Sequence, residues 1–219
     1  MCGLAGVISS SDSEIISIAN IMSKELVRRG PDSFGNYFVK DFSNNNSISL
    51  AHRRLSIIDL STKGNQPMVS KSKRYVIAFN GEIYNFKSIK RKIDNVKNIS
   101  WEGHSDTEVL IESIDVFGLR KTLKLLVGMF SFALLDKQEE KLYLIRDRFG
   151  EKPLYYGWVN QTLLFASELK AIKKNPKFKR VINKEATIKF LNKGYIPSPL
   201  SIYEGIYKIE PGTFITIDC

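Results

Sequence analysis

The chain has 219 residues, 43% hydrophobic and 26% charged, a globular balance with apolar material for a packed core and no run near the roughly 18 residues of a spanning helix. Its formal charge is +10, but the lysines bunch only at 71–74, 87–97 and 170–180, without an arginine-rich helix, zinc spacing or base-stacking platform, so the surplus reads as a solvated surface and not a nucleic-acid site. The N-terminus MCGLAGVISSSDSE has no basic n-region, and the two cysteines, Cys2 and Cys219, stand at opposite ends, so neither a secretory leader nor a disulfide framework is expected, and the chain is predicted to be cytoplasmic and off the membrane.

Residues 4–8 are a short apolar run suited to a buried strand. Ser11 or Asp12 can cap a helix over 14–27, with Ile15, Ile18, Ala19, Met22 and Leu26 on one face, and Gly30-Pro31 stops it. Strands are predicted at 37–40 and 48–58 around a polar turn at 44–46, followed by a loop at 64–67. A strand at 75–79 runs into Asn80-Gly81, a pair that tolerates positive φ and favours a tight turn. Helices follow at 85–93, at 106–117 with Ser105 or Asp106 as cap, and at 119–126. Strands are predicted at 129–135, 141–146, 154–158 and 163–166, then helices around 168–173 and 184–191, and extended segments over 202–218.

Strands outnumber helices and come as adjacent pairs, so the sheets should be mainly antiparallel. The inventory suits an α+β protein in four layers, two sheets between two layers of helices (αββα), with the whole of 1–219 as one domain. The pattern breaks off on a strand at 214–218 with no turn after it, which predicts truncation, with residues from about 195 to 219 leading toward a further domain.

Two histidines, His52 and His104, are too few for a structural zinc site or a well-supported triad, and both are expected to be structural. Cys2 is the unusual residue. A side chain this small permits removal of the initiator Met, leaving Cys2 first. Its α-amino group, with an ordinary pKa of about 7.7–8.0, can then act as base to its own strongly nucleophilic thiol. Glycines at 3 and 6 flank it, where backbone must approach a substrate closely.

Four motifs follow in order: Arg29-Gly30-Pro31-Asp32, Arg53-Arg54-Leu55-Ser56-Ile57-Ile58-Asp59, Asn80-Gly81-Glu82-Ile83-Tyr84-Asn85 and Ser105-Asp106-Thr107-Glu108. With Gly128–Ala133, Arg146–Tyr156 and Phe165–Ala171 added, the chain resembles, over essentially its whole length, a class II glutamine amidotransferase domain of the glutamine-hydrolysing asparagine synthetase branch. The resemblance implies the N-terminal nucleophile hydrolase fold and hydrolysis of L-glutamine to glutamate and ammonia through a Cys2 thioester. It implies that Asn80 and Gly81 form the oxyanion hole, where the tetrahedral intermediate needs two preorganised donors. Without it, Asn80-Gly81 would be a hairpin turn. Arg54 is similar to the arginine that grips the glutamine α-carboxylate, a planar group that a forked guanidinium fits. Alternation along the strand sends Arg53 to the opposite face. Asp106 and Glu82 resemble the acids that hold the α-ammonium, although Asp106 also suits a helix cap. Ile57 and Ile58 are expected to add backbone contacts.

Arg28 departs from the histidine that many relatives carry there. Residues 146–156 are read as core and interdomain structure rather than catalytic. Neither a Ser-Gly-Gly nucleotide loop nor a GxxxxGK[ST] loop occurs, so no cofactor is expected in this chain, ATP and magnesium belonging to a synthetase domain outside it. That domain, L-glutamine and, through the face truncation would expose, a second copy in a homodimer are the expected partners. The alternatives are a related amidotransferase with a sugar or other carboxylate as ammonia acceptor, a non-catalytic remnant, and a nucleic-acid binder with a steep salt dependence.

Overall fold

Residues 2–10, 12–43 and 45–218 are described by the structure, a computed structural model. The expected cap at Ser11 or the Asp12 side chain, Asn44 of the expected turn, and Met1 and Cys219 lie outside the described residues.

Side-chain alternation builds the layers. In β1 (Gly3–Ser9), Leu4 and Ile8 face one way, into a core shared by both sheets, and Ala5 and Val7 face the other, toward α1 (Asp12–Lys24). β2 (Ser33–Ser43) and β3 (Asn46–Arg54) pair with each other, and β3 pairs with β1. β4 (Met68–Val69) is a two-residue edge on β5 (Tyr75–Ile83), where Val76 and Ala78 enter the inter-sheet core while Tyr75, Ile77 and Phe79 meet helices. Those helices are α2 (Phe86–Asp94), α3 (Asp106–Phe117) and α4 (Leu119–Leu125). β6 (Gly128–Asp136), β7 (Lys141–Arg146), β8 (Tyr155–Val159) and β9 (Thr162–Ala166) follow as antiparallel neighbours, then α5 (Leu169–Ile172), α6 (Lys184–Lys193), β10 (Ile206–Lys208) and β11 (Phe214–Asp218).

One sheet has the order β10-β8-β9-β1-β3-β2, the other β11-β7-β6-β5-β4, and their paired strands are antiparallel. Leu4, Leu50, Val76, Ala133, Leu144 and Phe165 fill the space between them. α1 and α5 cover the first sheet, and α2–α4 the second. The expected αββα sandwich of two antiparallel sheets is the observed fold.

The departures are local. β3 stops at Arg54, four residues short of the expected strand end at 58, because the chain beyond it closes into a loop around the Arg54 guanidinium. The tight turn expected at Asn80-Gly81 does not form. Both residues lie inside β5, which continues in register with β6 to the Ile83↔Gly128 pair. Tertiary pairing overrides the turn preference, and Gly81 serves a different need: a Cβ there would overlap the Met129 carbonyl and come within 2.7 Å of Phe130 Cα. The extended 202–218 region supplies one strand to each sheet, β10 beside β8 and β11 beside β7.

Candidate active site

Cys2 immediately precedes β1, and its neighbours hold it by the backbone. Arg29 Nε donates to the Cys2 carbonyl at 2.9 Å, while Arg29 Nη1 pairs with Glu168 Oε1 at 2.8 Å. Two residues on, Leu4 is tied to Ser167 by a bond to the Ser167 hydroxyl (3.0 Å) and one from the Ser167 N–H (2.9 Å). The thiol sits over the start of the 55–66 loop, with the Leu55 N–H 3.4 Å from Sγ. Burial pushes the Cys2 thiol up, and the Leu55 backbone and Arg54 charge offset only part of that. The thiol therefore keeps its proton at neutral pH, and attack requires a base beside it.

The 55–66 loop is wound around two charges. Arg54 is buried, and Nη1 donates to the Ser61 carbonyl (2.7 Å) and Asn65 Oδ1 (3.1 Å), while Nη2 donates to the Asp59 carbonyl. Its hydrogen bonds thus go to neutral oxygens, and among the described residues no carboxylate pairs with it, leaving a buried positive charge open to an anion. Gly64 leaves room for it, since a Cβ there would fall 2.1 Å from Arg54 Nη2 and displace the guanidinium. The Asp59 carboxylate accepts from Ser61 N (2.8 Å), Ser61 Oγ (2.6 Å) and His104 N (2.8 Å). The His104 and Ser61 bonds pull its pKa down to about 2. Asp59 so clasps the loop to the segment before α3. Arg53 points away, stacked 4.6 Å from the Phe34 ring, as strand alternation predicts.

Asn80 is fully buried, and among the described residues neither its amide oxygen nor its amide nitrogen has a partner. A buried amide left unpaired costs about 1–3 kcal/mol, so such a group in a native interior calls for an explanation. The residue before it is held from two sides. Gln66 Oε1 accepts the Phe79 N–H at 2.6 Å, and His52 Nε2 donates to the Phe79 carbonyl at 2.9 Å across the sheets. A carbonyl can only accept, so Nε2 carries the proton. Burial drives the His52 pKa down to about 4 and keeps the ring neutral. The structural role expected of His52 is what its position provides.

Asp106 opens α3. Ser105 is the cap, its hydroxyl accepting the Glu108 N–H at 3.2 Å, which resolves the choice between the two. Asp106 Oδ2 instead accepts the Ile83 N–H at 2.9 Å, and burial raises its pKa to about 6. Cys2, Arg54, Ile57, Ile58, Asn80, Gly81, Glu82 and Asp106 all line one cavity of about 90 Å³. The lining thus brings together a thiol, an arginine, two carboxylates and the side-chain amide of Asn80. Gln66, Met129 and Lys152 also line the cavity and were not singled out in the sequence. Lys152, buried in the 146–156 stretch read as structural, brings a second cation to the wall.

The family described as a glutamine amidotransferase domain matches residues 1–219. The chain belongs to that family. Asparagine synthetase [glutamine-hydrolyzing] 1 of Bacillus subtilis is 35% identical over 223 residues, covering 99% of this chain and 33% of that protein. A Methanocaldococcus jannaschii protein provisionally named asparagine synthetase [glutamine-hydrolyzing] 2 is 38% identical over 226 residues, covering 96% of this chain and 42% of that one. The amidotransferase domain thus spans less than half the length of these relatives. In structure it is similar to glutamine phosphoribosylpyrophosphate amidotransferase from Bacillus subtilis, with TM-score 0.70 at 18% identity over 99% of this chain and 47% of that chain. At that identity the likeness concerns the fold, which is the N-terminal nucleophile hydrolase type. No described helix of the amidotransferase domain is long and apolar enough to cross a membrane.

Proposed function

We propose that this amidotransferase domain hydrolyses L-glutamine with Cys2 as N-terminal nucleophile, and that the unpaired, buried amide of Asn80 is the observation that carries the reading. A buried amide donor lining the same cavity as a thiol suits an oxyanion that exists only during reaction. Once Met1 is removed, the Cys2 α-amine takes the thiol proton and Sγ attacks the side-chain carbonyl carbon of glutamine. The carbonyl oxygen becomes an oxyanion held by Asn80 Nδ2 and the Gly81 N–H. The tetrahedral intermediate collapses, the C–N bond breaks, and ammonia leaves with the proton from the α-ammonium. Water then attacks the thioester, gives its proton back to the amine, and releases glutamate with the thiol restored.

At the other end of the substrate, Arg54 takes the α-carboxylate, and Asp106 with Glu82 takes the α-ammonium. Ile57 and Ile58 line the same cavity and would add backbone contacts to the bound substrate. Each step in this reading uses the α-amine, side chains, a backbone N–H and water, and calls for no metal or cofactor. The ammonia is destined for ATP-dependent amidation of aspartate by a synthetase segment of a longer protein, a reading supported by the length and names of the relatives. Exposed apolar side chains such as Phe149 and Leu191 suit contact with such a segment or with a second copy. A nucleophilic Cys2 thiol also suits the reducing cytoplasm.

Glutamate release from L-glutamine tests this, with Met1-free protein and its Cys2→Ala variant side by side. The expected result is turnover in the first and none in the folded second. Equal turnover in both would remove Cys2 from the chemistry.

A further inference from the structure

We propose that Gln66 is a positioning residue that sets the spacing between the oxyanion strand and the helix end that holds the substrate ammonium; this rests on the glutamine reading above. Gln66 is buried and lines the cavity. Its Oε1 accepts the Phe79 N–H at 2.6 Å, and its Nε2 donates to Thr107 Oγ1 at 3.3 Å. The orientation of the amide follows from chemistry, because a backbone N–H can only donate and so must face the oxygen. Phe79 precedes Asn80, and Thr107 follows Asp106. One planar amide therefore spans from the residue that fixes the oxyanion donor to the residue beside the ammonium ligand.

The sheet explains why a side chain is needed there. β4 pairs Val69 with Val76 and Met68 with Ile77, and the same register continued would set Pro67 against Ala78 and Gln66 against Phe79. Pro67 has no N–H, and the ladder ends at Met68. The Gln66 backbone is drawn instead to β2, where its carbonyl lies so close that Gly35 has no room for a Cβ. The Phe79 N–H would be left buried and unpaired, and the Gln66 side chain returns to satisfy it. A glutamine bound in one rotamer presents one distance between its side-chain carbonyl and its α-ammonium. A rigid bridge between the groups that read those two ends holds the site at that length, and looseness of a fraction of an ångström there is felt in the chemical step.

The test uses Gln66→Met, which keeps the volume but not the two hydrogen bonds, and Gln66→Glu, whose carboxylate accepts from Phe79 N–H while the Thr107 hydroxyl turns to donate. Steady-state glutamine hydrolysis is measured on Met1-free protein, with amide hydrogen exchange at Phe79 on the unliganded protein. Gln66→Met is expected to lower kcat at least tenfold, raise KM for glutamine, and speed Phe79 exchange at least tenfold, with core amides of β6 and β7 unchanged. Gln66→Glu is expected to recover most of kcat. Wild-type kcat in Gln66→Met, no recovery in Gln66→Glu, or faster exchange across β6 and β7 alike would each overturn the proposal. Should the wild type release no glutamate, the glutamine reading falls, and Phe79 exchange then judges the bridge alone: unchanged exchange in Gln66→Met refutes it.

Discussion

At the scale of single residues, the molecule holds groups in states that folding alone would not select. Asn80 is buried without a partner for either amide atom, Arg54 is buried with neutral oxygens around it, and the Cys2 thiol is pushed up by burial. Such local costs are what a preformed site stores for its substrate. Asn80→Ala is therefore predicted to separate stability from activity. Removing an unsatisfied amide should leave unfolding free energy within about 1 kcal/mol of wild type, while glutamine hydrolysis drops about 100-fold. Urea unfolding and steady-state kinetics on one preparation check both halves, and a variant that keeps its turnover would take Asn80 out of the oxyanion role. Cys2, Arg54, Asn80 and Asp106 were singled out through the family resemblance that their contiguous motifs carry, and the fold brings them to one cavity. Gln66 and Lys152 were not, since nothing within a Gln-Pro loop or an apparent core stretch shows which way a side chain points. The geometry came only with the paired strands.

Among the elements, β5 carries the most consequence. Sequence preference reads Asn80-Gly81 as a turn, and pairing with β6 straightens it into strand, which is how Asn80 comes to be buried and Gly81 to line the cavity. Alternation placed Arg53 and Arg54 on opposite faces of β3 correctly, but the end of that strand depends on the loop that Asp59 clasps, a contact with the segment before α3 that lies far away in sequence. His52 joins β3 to β5 across the sheets, and burial keeps its ring neutral although the bond to the Phe79 carbonyl favours the protonated form. Its pKa of about 4 lies below the unfolded value of about 6.5, so the unfolded chain binds a proton first as pH falls. The stability that goes with burying a neutral ring is full above pH 6.5 and is lost toward pH 4. Asp106, raised to about 6, acts in the opposite sense, its stabilising protonation disappearing as pH rises from 4 to 6, so the two partly cancel in the wild type. The comparison with His52→Gln isolates the histidine. Between pH 6.5 and 4 the wild type should lose on the order of 3 kcal/mol more than the variant in urea unfolding; parallel curves would mean that His52 is not held neutral by the fold.

For the whole molecule, the four-layer sandwich was foreshadowed by apolar residues repeating at every second position in strands and at helical spacing in the segments between them. The strand order was not, because nothing local says that β1 lies between β3 and β9, or that the last two strands join different sheets. That order brings the start of the chain, the end of β3, the middle of β5 and the start of α3 around one cavity, though they span more than 100 residues. The central claim is that this convergence makes Cys2 an N-terminal nucleophile for a glutamine-shaped substrate. The most direct measurement is mass mapping of protein treated with a glutamine-like thiol alkylator, with and without competing L-glutamine. The account predicts one adduct, on a peptide that begins at Cys2, formed at a rate that L-glutamine suppresses. Met1-free, folded protein that takes up no label at Cys2, or takes it up at the same rate with glutamine present, would contradict it.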